Sequence, residues 1–540
     1  MSDLFSHSSV ARAVVATLGM MAAATAAAQS VGNAGDAATL PTVSVRAQRE
    51  TLDSAPPAYA GGQVGTDARL GILGNMPVLD TPFSVTGYTS QAIRNEQARS
   101  VADILAFDPS VRMASARSNI NEDFTIRGFA VPSGDFALNG VFGLTPFWRA
   151  PLEAVEQVEV LKGPSAALFG MPPAGSIGGV VNLVPKRASD EPLTRLDVSA
   201  MSDSVYGTHL DVGRRFGPDN AFGARVNLMH RQGDTTIHSQ STRESLGALG
   251  LDLRERSFRA SLDLLWQAQR IDNVVRQFGL ASALTALPAV PNNAIAYPGL
   301  GYSDGNDTSA LFKAEYDLSS RATAFVSLGQ RKLDWNAIAA NPVIQNSAGD
   351  YIYSGGWQKM DVDSKPLQFG VHGSFVTGAV EHAATLSYDR LDQKQTLGFY
   401  TGFPGGTSNL SAGSFSRPRP SAVSATHCVL PDTKLTSVAL ADTMSMLKGA
   451  LLVTLGARQQ QVEAQNYSYM TARYDRSATT PLAGVVYKLQ PQLSLYGSYV
   501  EGLSPGDTAP VSGISNPGEM MPPYHSKQKS WVRSGTRAAS

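Results

Sequence analysis

Thirteen segments between residues 193 and 501 alternate apolar and polar residues with a period of two, and this repetition constrains the fold more than any other feature. In the longest-lived example, Phe258, Ala260, Leu262, Leu264, Trp266 and Ala268 share one face. Ser257, Arg259, Ser261, Asp263, Gln267 and Gln269 share the other, with Leu265 the exception. A strand sends successive side chains to opposite faces, so this pattern over residues 257–270 predicts a long β-strand with one apolar and one polar side. Comparable strands are predicted at 193–201, 205–216, 221–232, 243–253, 309–318, 321–333, 364–376, 382–391, 434–443, 450–464, 478–489 and 492–501. Composition alone fits a soluble all-β protein equally well. The connections separate the two, because short links (217–220, 254–256, 319–320, 377–381, 444–449, 490–491) alternate with long ones (271–308, 334–363, 392–433, 502–525) once the brief 202–204 is set aside. A membrane barrel with short turns on one side and long loops on the other has this rhythm, and a sandwich has no reason for it.

Charge excludes other classes. Lys and Arg total 44 against 45 for Asp and Glu, so no basic surface for nucleic acid is expected. Outside the N-terminus, no stretch offers the roughly 18–20 continuous apolar residues of a spanning helix. Cys428 stands alone, which excludes an intrachain disulfide and a cysteine metal cluster.

Residues 66–187 have a different texture. Residues 79–88 read as a strand entering a turn; Ser90 is placed to cap a helix to Gln97, and Ser100 a second with Val101, Ile104, Leu105 and Phe107 on its apolar face. Strands follow at 110–113, 123–129 and 136–141. The run Glu156–Gly170 is an apolar strand, a Gly-Pro turn and a small-residue segment, and Gly178–Lys186 is a second Val-rich strand. Glycines at these joints let backbones approach closely. They form no phosphate loop, since no Gly-Lys-Ser/Thr follows and no helix is expected to open there.

Ile126-Arg127-Gly128-Phe129, then Asn139-Gly140, then Glu156–Gly170 and Gly178–Lys186 occur in one order. In that order they resemble the plug domain of TonB-dependent outer-membrane receptors, more narrowly those importing ferric siderophores. Phe375–His382 and Leu455-Gly456-Ala457-Arg458 also resemble barrel segments of that group. The resemblance implies a mainly β protein, a transmembrane antiparallel β-barrel with an N-terminal α/β plug, in the cell outer membrane. It implies energy-coupled uptake with TonB (the TonB–ExbB–ExbD complex), a ferric siderophore and outer-membrane lipid as partners. No cofactor is expected, because iron would be carried by the siderophore. Uptake of cobalamin, haem or oligosaccharide, or a passive porin or adhesin barrel, are the alternatives.

The N-terminus reads as a signal peptide over residues 1–28, with Arg12, the apolar stretch Ala13–Ala24 and an Ala-x-Ala site at Ala26–Ala28. A linker rich in Ala, Gly, Pro and Thr is expected over 29–65. Within it Thr42, Val43, Ser44 and Val45 form a short β-prone stretch suited to strand addition, and the resemblance implies that this is the TonB box. A plug is expected at 66–187 and a partial barrel at 188–528. The thirteen strands compare with the 22 that the resemblance implies. After Ser526-Lys527-Gln528 the resembling family continues with an acid, an aliphatic residue and Gly, where this chain has Lys529-Ser530-Trp531-Val532, so 529–540 is expected to be an out-of-frame tail on a truncated chain.

No catalytic constellation is present in the pattern, and the eight His residues lack metal-ligand spacing, so neither an enzyme nor a metal centre is expected. Arg127, Glu156, Glu159 and Lys162 are the charged residues of the plug motifs. The resemblance implies that they lock the plug to barrel arginines and part when TonB pulls. The plain alternative is a satisfied ion-pair set at the plug's edge. Arg117, Phe147, Trp148 and Arg149 are the ligand-contact candidates, since aromatic faces and guanidinium groups suit a bulky anionic complex. Packing of the plug apex is the competing role for the aromatics.

Overall fold

The computed structural model describes residues 57–535 except 202, 290–300, 402–404, 413–423, 430–431, 466–473 and most of 507–520. The expected signal peptide and Thr42–Val45 lie outside the described residues.

From Leu193 onward the long strands form one antiparallel wall and are hydrogen-bonded in chain order, while the short Gly279–Leu280 pairs parallel with Ala322–Ile344. All thirteen expected strands are present, and a fourteenth, Tyr524–Gly535, pairs along its whole length with Leu493–Ser504. The expected count of thirteen is thus corrected to fourteen long strands, with three short ones at 279–280, 406–409 and 424–429 in the loops. Among the described residues, Leu193–Met201 and Tyr524–Gly535 each have a single neighbour in this sheet. The strands Asp350–Thr377 and Val380–Thr401 are joined by two residues. Such a hairpin needs a positive φ, which Gly378 supplies at 62°.

The two faces of the wall invert the usual burial rule. Inward positions carry buried Asp211, Arg225, Asn227, Arg231, Ser261, Asp263 and Arg458. Outward positions expose Leu196, Val198, Leu264, Phe312, Phe369, Leu386, Val438 and Leu440. Exposed apolar and buried polar residues on the same strands mean that the outer solvent is hydrocarbon. Among the described residues no helix is long and apolar enough to cross a membrane, so the strands do the crossing.

Several strands run further outward than their amphipathic stretch. Ala322–Ile344 and Asp350–Thr377 reduce the expected loop 334–363 to residues 345–349, and Tyr302–Ser319 and Val380–Thr401 likewise extend into expected loops.

The plug, residues 57–187, packs against the inner face. Its main sheet has the order Val85–Thr89, Val155–Lys162, Gly179–Pro185, Ala137–Leu138, Val141–Phe142. A three-stranded sheet (Val111–Met113, Phe124–Ile126, Phe129–Val131) and a hairpin (Asp67–Arg69, Asn75–Pro77) flank it. The first helix is Ser90–Asn95, and its cap is Thr89 rather than Ser90: Thr89 Oγ1 accepts from the Ala92 amide at 3.2 Å. The second, Val101–Leu105, begins with a capping box in which Ser100 and Asp103 satisfy each other's backbone donors. Contrary to expectation, the Gly163-Pro164-Ser165 turn opens a four-residue helix, Ala166–Phe169.

Strand alternation divides the plug's apolar residues. Val158, Val160, Val181 and Leu183 join Val101, Ile104, Leu105, Phe124, Ile126 and Phe136 in the plug's own core. On the other side Leu70, Ile72, Phe142, Leu168 and Phe169 pack with wall residues Leu391, Leu435, Val462, Leu482 and Val500. The plug is therefore held by a shared apolar layer as well as by polar contacts.

Candidate functional site at the plug–wall seam

The four charged residues of the plug motifs are not brought together. Glu156 and Lys162 stand near opposite ends of strand Val155–Lys162. Glu156 accepts from the Ser90 hydroxyl at 2.6 Å, and Lys162 pairs with Asp108 at 2.6 Å. Burial opposes that Asp108 charge, yet bonds from Lys162 and Ser110 hold its pKa below the usual value. Glu159 is buried on the opposite face of the strand. It accepts from Asn182 at 2.7 Å and from Gln157 at 3.3 Å, with Arg69 at 3.5 Å. Burial pushes its pKa up, against the lowering pull of Arg69. Arg127, in the left-handed region at φ 51°, donates to the Lys162 carbonyl at 3.3 Å and the Gln528 amide oxygen at 3.4 Å. Among the described residues, Glu156, Glu159 and Lys162 thus have their ion-pair and hydrogen-bond partners within the plug, and Arg127 is the one of the four that bonds to the wall.

The wall is held by other residues. Lys186 Nζ lies 3.0 Å from Asp211 and donates to the Glu153 carbonyl at 2.6 Å. Arg225 binds the same Asp211 through both oxygens and also donates to the Arg187 carbonyl at 2.9 Å. Arg187 pairs with Asp263 at 2.6 Å. Arg231 bridges Glu153 of the plug, at 3.2 Å, and Glu244 of the wall, at 2.9 Å. These buried pairs, bidentate at Arg225–Asp211 and Arg187–Asp263, are costly to break one partner at a time, because the survivor is left charged and dry.

On a different sector of the wall, Arg458 is 1% exposed and reaches the plug by itself. Its Nε donates to the Ala167 carbonyl at 3.2 Å and Nη2 to the Leu168 carbonyl at 2.9 Å. Nη1 donates to Ser437 at 2.8 Å and pairs with Asp389. The last carbonyls of a helix have no partner within it, and here a wall guanidinium supplies one. Sequence reasoning singled out Leu455–Arg458 as a barrel segment but had no route to its partners, which lie some 290 residues away.

At the outer apex the aromatic candidates face the wall. Phe147 and Trp148 stack edge-on at 4.7 Å, Trp148 lies 5.1 Å from Trp335, and the Arg331 guanidinium sits 5.3 Å from the Phe147 ring centre. They pack on a buried cluster containing Ile120, Leu333, Trp335 and Met360. Phe147 is also fixed by its amide, which donates to Asp307 at 2.8 Å.

The two arginine candidates do meet. Arg117 and Arg149 line a cavity of about 220 Å³ between the plug and the outer ends of the first wall strands, together with Arg99, Asp103, Glu122, Arg231 and Glu244. Arg117 pairs with Asp103. Arg149 donates to the backbone carbonyls of Arg117, at 3.2 Å, and Asn119, at 3.1 Å. Glu122 is buried; one oxygen accepts from the Ala102 amide at 2.7 Å and the other has no hydrogen-bond partner. Burial pushes its pKa up to about 7 despite the nearby Arg149. Among the described residues no group of His, Cys, Asp and Glu has the arrangement of a metal site.

Residues 77–180 match the TonB-dependent receptor plug domain, and residues 206–530 match the TonB-dependent receptor-like β-barrel. The chain is 33% identical over 515 residues to the ferrichrome receptor FcuA of Yersinia enterocolitica, covering 92% of this chain and 67% of that protein. The crystal structure of BauA, the ferric preacinetobactin receptor of Acinetobacter baumannii, superposes with a TM-score of 0.83 at 36% identity, over 88% of this chain and 72% of that one. The ferripyoverdine receptor of Pseudomonas aeruginosa shares the fold, with a TM-score of 0.76 at 15% identity over 89% of this chain and 64% of that one. The match to a vitamin B12 transporter of Vibrio vulnificus, 28% identical, covers only 26% of this chain. A plug seated on the polar inner face of a wall whose outer face suits hydrocarbon, with both parts matched in order, places this chain among the TonB-dependent receptors of the outer membrane.

Proposed function

We propose that the chain imports ferric siderophores across the outer membrane, with uptake driven by TonB. The single observation that carries this is a plug attached to the wall through discrete polar clamps (Lys186, Arg187, Arg225, Arg231 and Arg458) on either side of a shared apolar layer. A passive pore has no use for a stopper held so firmly. The relatives that align over most of the chain are named for ferrichrome and ferric preacinetobactin, which supports a ferric siderophore over cobalamin.

In this reading the siderophore arrives at the outer apex, near Arg117 and Arg149, and carries the iron as cargo. Thr42–Val45 adds as a strand to TonB, whose ExbB–ExbD complex supplies the energy. Tension reaches the plug from its N-terminal side and must part the seam. Glu156, Glu159 and Lys162 keep the plug's own charges satisfied while it moves, and the Arg127–Gln528 bond is one of those that part.

Growth under iron limitation on defined ferric siderophores tests the proposal, with tonB-positive and tonB-negative hosts compared. Replacing Val43 by Pro removes a strand donor, so uptake is expected to be lost with surface expression unchanged. Uptake that persists without TonB, or in the Val43→Pro variant, would refute it.

A further inference from the structure

The apolar layer shared by plug and wall does not by itself fix the plug's height. Apolar attraction has no direction, so it opposes lifting the plug off the wall more than sliding it along the strands. Shape does fix height, because in a close-packed contact a group set in a hole cannot pass the atoms beside it.

Three such insertions lie on the paired wall strands Tyr474–Gln490 and Leu493–Ser504 and on Pro505, which follows them. Along the inward row of the first strand, Gly484 stands between buried Leu482 and Val486. The buried Pro82 ring of the plug fills the space that a side chain at Gly484 would need. On the second strand Gly502 stands one inward step from buried Val500, and a Cβ added there would lie 2.9 Å from the Cβ of Pro164. The third insertion is reversed, since the wall's Pro505 ring fills the space beside Gly175 of the plug. Asp80 also meets Lys488 at 2.7 Å, but both are partly exposed, so that ion pair adds little.

We propose that Gly484, Gly502 and Gly175 are positioning residues that set the plug's height, so a tug on its N-terminal side cannot slide it out whole. The tug draws out the chain before Pro82 and stalls there. The inference rests on the importer reading for the source of the tug, and adds where the first stage of opening stops. Among the described residues, Pro57–Thr66 hydrogen-bonds to the plug alone, as in Gly65 to Gly87 and Thr89 to Gln63. The hairpin Asp67–Pro77 adds Leu70 and Ile72 to the apolar layer, without a group set in a wall glycine. Pro82 is the first described residue from that side to be so seated. Moving it towards the short turns drives its ring against Val486, and moving Pro164 the same way drives it against Val500.

The test is force spectroscopy on the purified full chain in detergent, pulled through a handle N-terminal to Pro57 with the wall held by its outward face. A stall is expected after about 90 Å of chain, the extended length from Pro57 to Pro82. Gly484→Ala fills the hole and Pro82→Gly removes the ring, so each should abolish that stall and let the chain run on. Lys488→Gln breaks the ion pair and keeps the insertion, so the stall should remain. Gly373→Ala, whose added Cβ has no neighbour nearer than 3.9 Å, is the control that leaves it alone. Alanine suits a strand interior better than glycine, so Gly484→Ala remains informative should Pro82→Gly fail to fold. Any loss of unfolding midpoint in Gly484→Ala should be recovered by adding Pro82→Gly, as expected of two groups competing for one space. Exit of the plug in one step, a stall that survives both Gly484→Ala and Pro82→Gly, or a stall lost in Lys488→Gln would overturn the inference and leave the importer reading standing. Uptake without TonB would overturn the importer reading and leave the stall as measured.

Discussion

Replacing Arg458 by Gln should loosen one stretch of the plug and leave the rest in place. The guanidinium is 1% exposed and holds the carbonyls of Ala167 and Leu168, the Ser437 hydroxyl and the Asp389 carboxylate at once. Glutamine is shorter and neutral, so it leaves Asp389 without its cation and at least one plug carbonyl without a donor. Breaking a buried pair from one side costs about 3–5 kcal/mol, and a buried carbonyl left bare about 1–3 kcal/mol. These costs overlap, because the same groups relax together, so about 3–5 kcal/mol is the expected total. If it falls on the local opening of the helix, exchange there should accelerate roughly a hundredfold to a few thousandfold. The reporting amides are Leu168 and Phe169, bonded to the Ser165 carbonyl, and Gly170, bonded to that of Ala166. Amides of Val155–Lys162 and Gly179–Pro185 serve as the internal reference. Hydrogen–deuterium exchange resolved by peptide reads both sets in one experiment. Arg458→Lys should fall between, since an ammonium can replace one bond but not the fork. Less than about threefold acceleration at Leu168–Gly170, or equal acceleration in both reference strands, would refute the idea that Arg458 clamps this segment.

Other outcomes follow from the same contacts. Asp211→Asn leaves Lys186 and Arg225 facing a neutral group and should destabilise the plug–wall junction by about 3–5 kcal/mol, read as a lowered midpoint of denaturant unfolding. Glu122 has a folded pKa raised to about 7, so the folded state binds the extra proton between the ordinary carboxylate range and neutrality. Stability should therefore fall as pH rises from about 4.5 to 7, and Glu122→Gln should flatten that part of the profile; an unchanged slope would exclude Glu122 as its source. Leu264→Arg places a charge on the lipid side and should cost about 2–4 kcal/mol near the bilayer midplane, measured by folding into vesicles, whereas a soluble wall would tolerate it.

The wall was legible because lipid and plug impose opposite chemistry on alternate residues. The same rule explains where the reading stopped. In Ala322–Ile344 the lower half turns Ala324, Val326 and Leu328 outward. The upper half buries Leu333, Trp335 and Ala337 against the plug apex and turns Lys332, Asp334 and Asn336 outward. The apolar phase flips above the hydrocarbon, so the first period-two pattern stops at residue 333 although the strand continues to Ile344. Within the plug, Thr89 displaced Ser90 as a cap because both can serve and strand Val85–Thr89 runs up to the helix. Helix Ala166–Phe169 is too short for any periodicity to show. Among site residues, charge type was readable but pairing was not. Glu159 and Lys162 look alike as plug-edge charges, yet alternation sends them to opposite faces with unrelated partners. Asp211, Arg225 and Arg458 stood at inward wall positions, where polarity is expected for any barrel and so marked nothing special.

The order of strands in the plug sheet has a mechanical corollary. Val85–Thr89 borders the sheet and is zipped to Val155–Lys162 by five rungs. Gly179–Pro185 lies inside it and runs straight into the clamped Lys186 and Arg187. A tug arriving from the chain's beginning meets this border strand, and the 63–65 segment bonded to its outer side, before the riveted seam, so the stopper would peel from that hem first while the clamped strand stays fastened to the membrane-spanning wall.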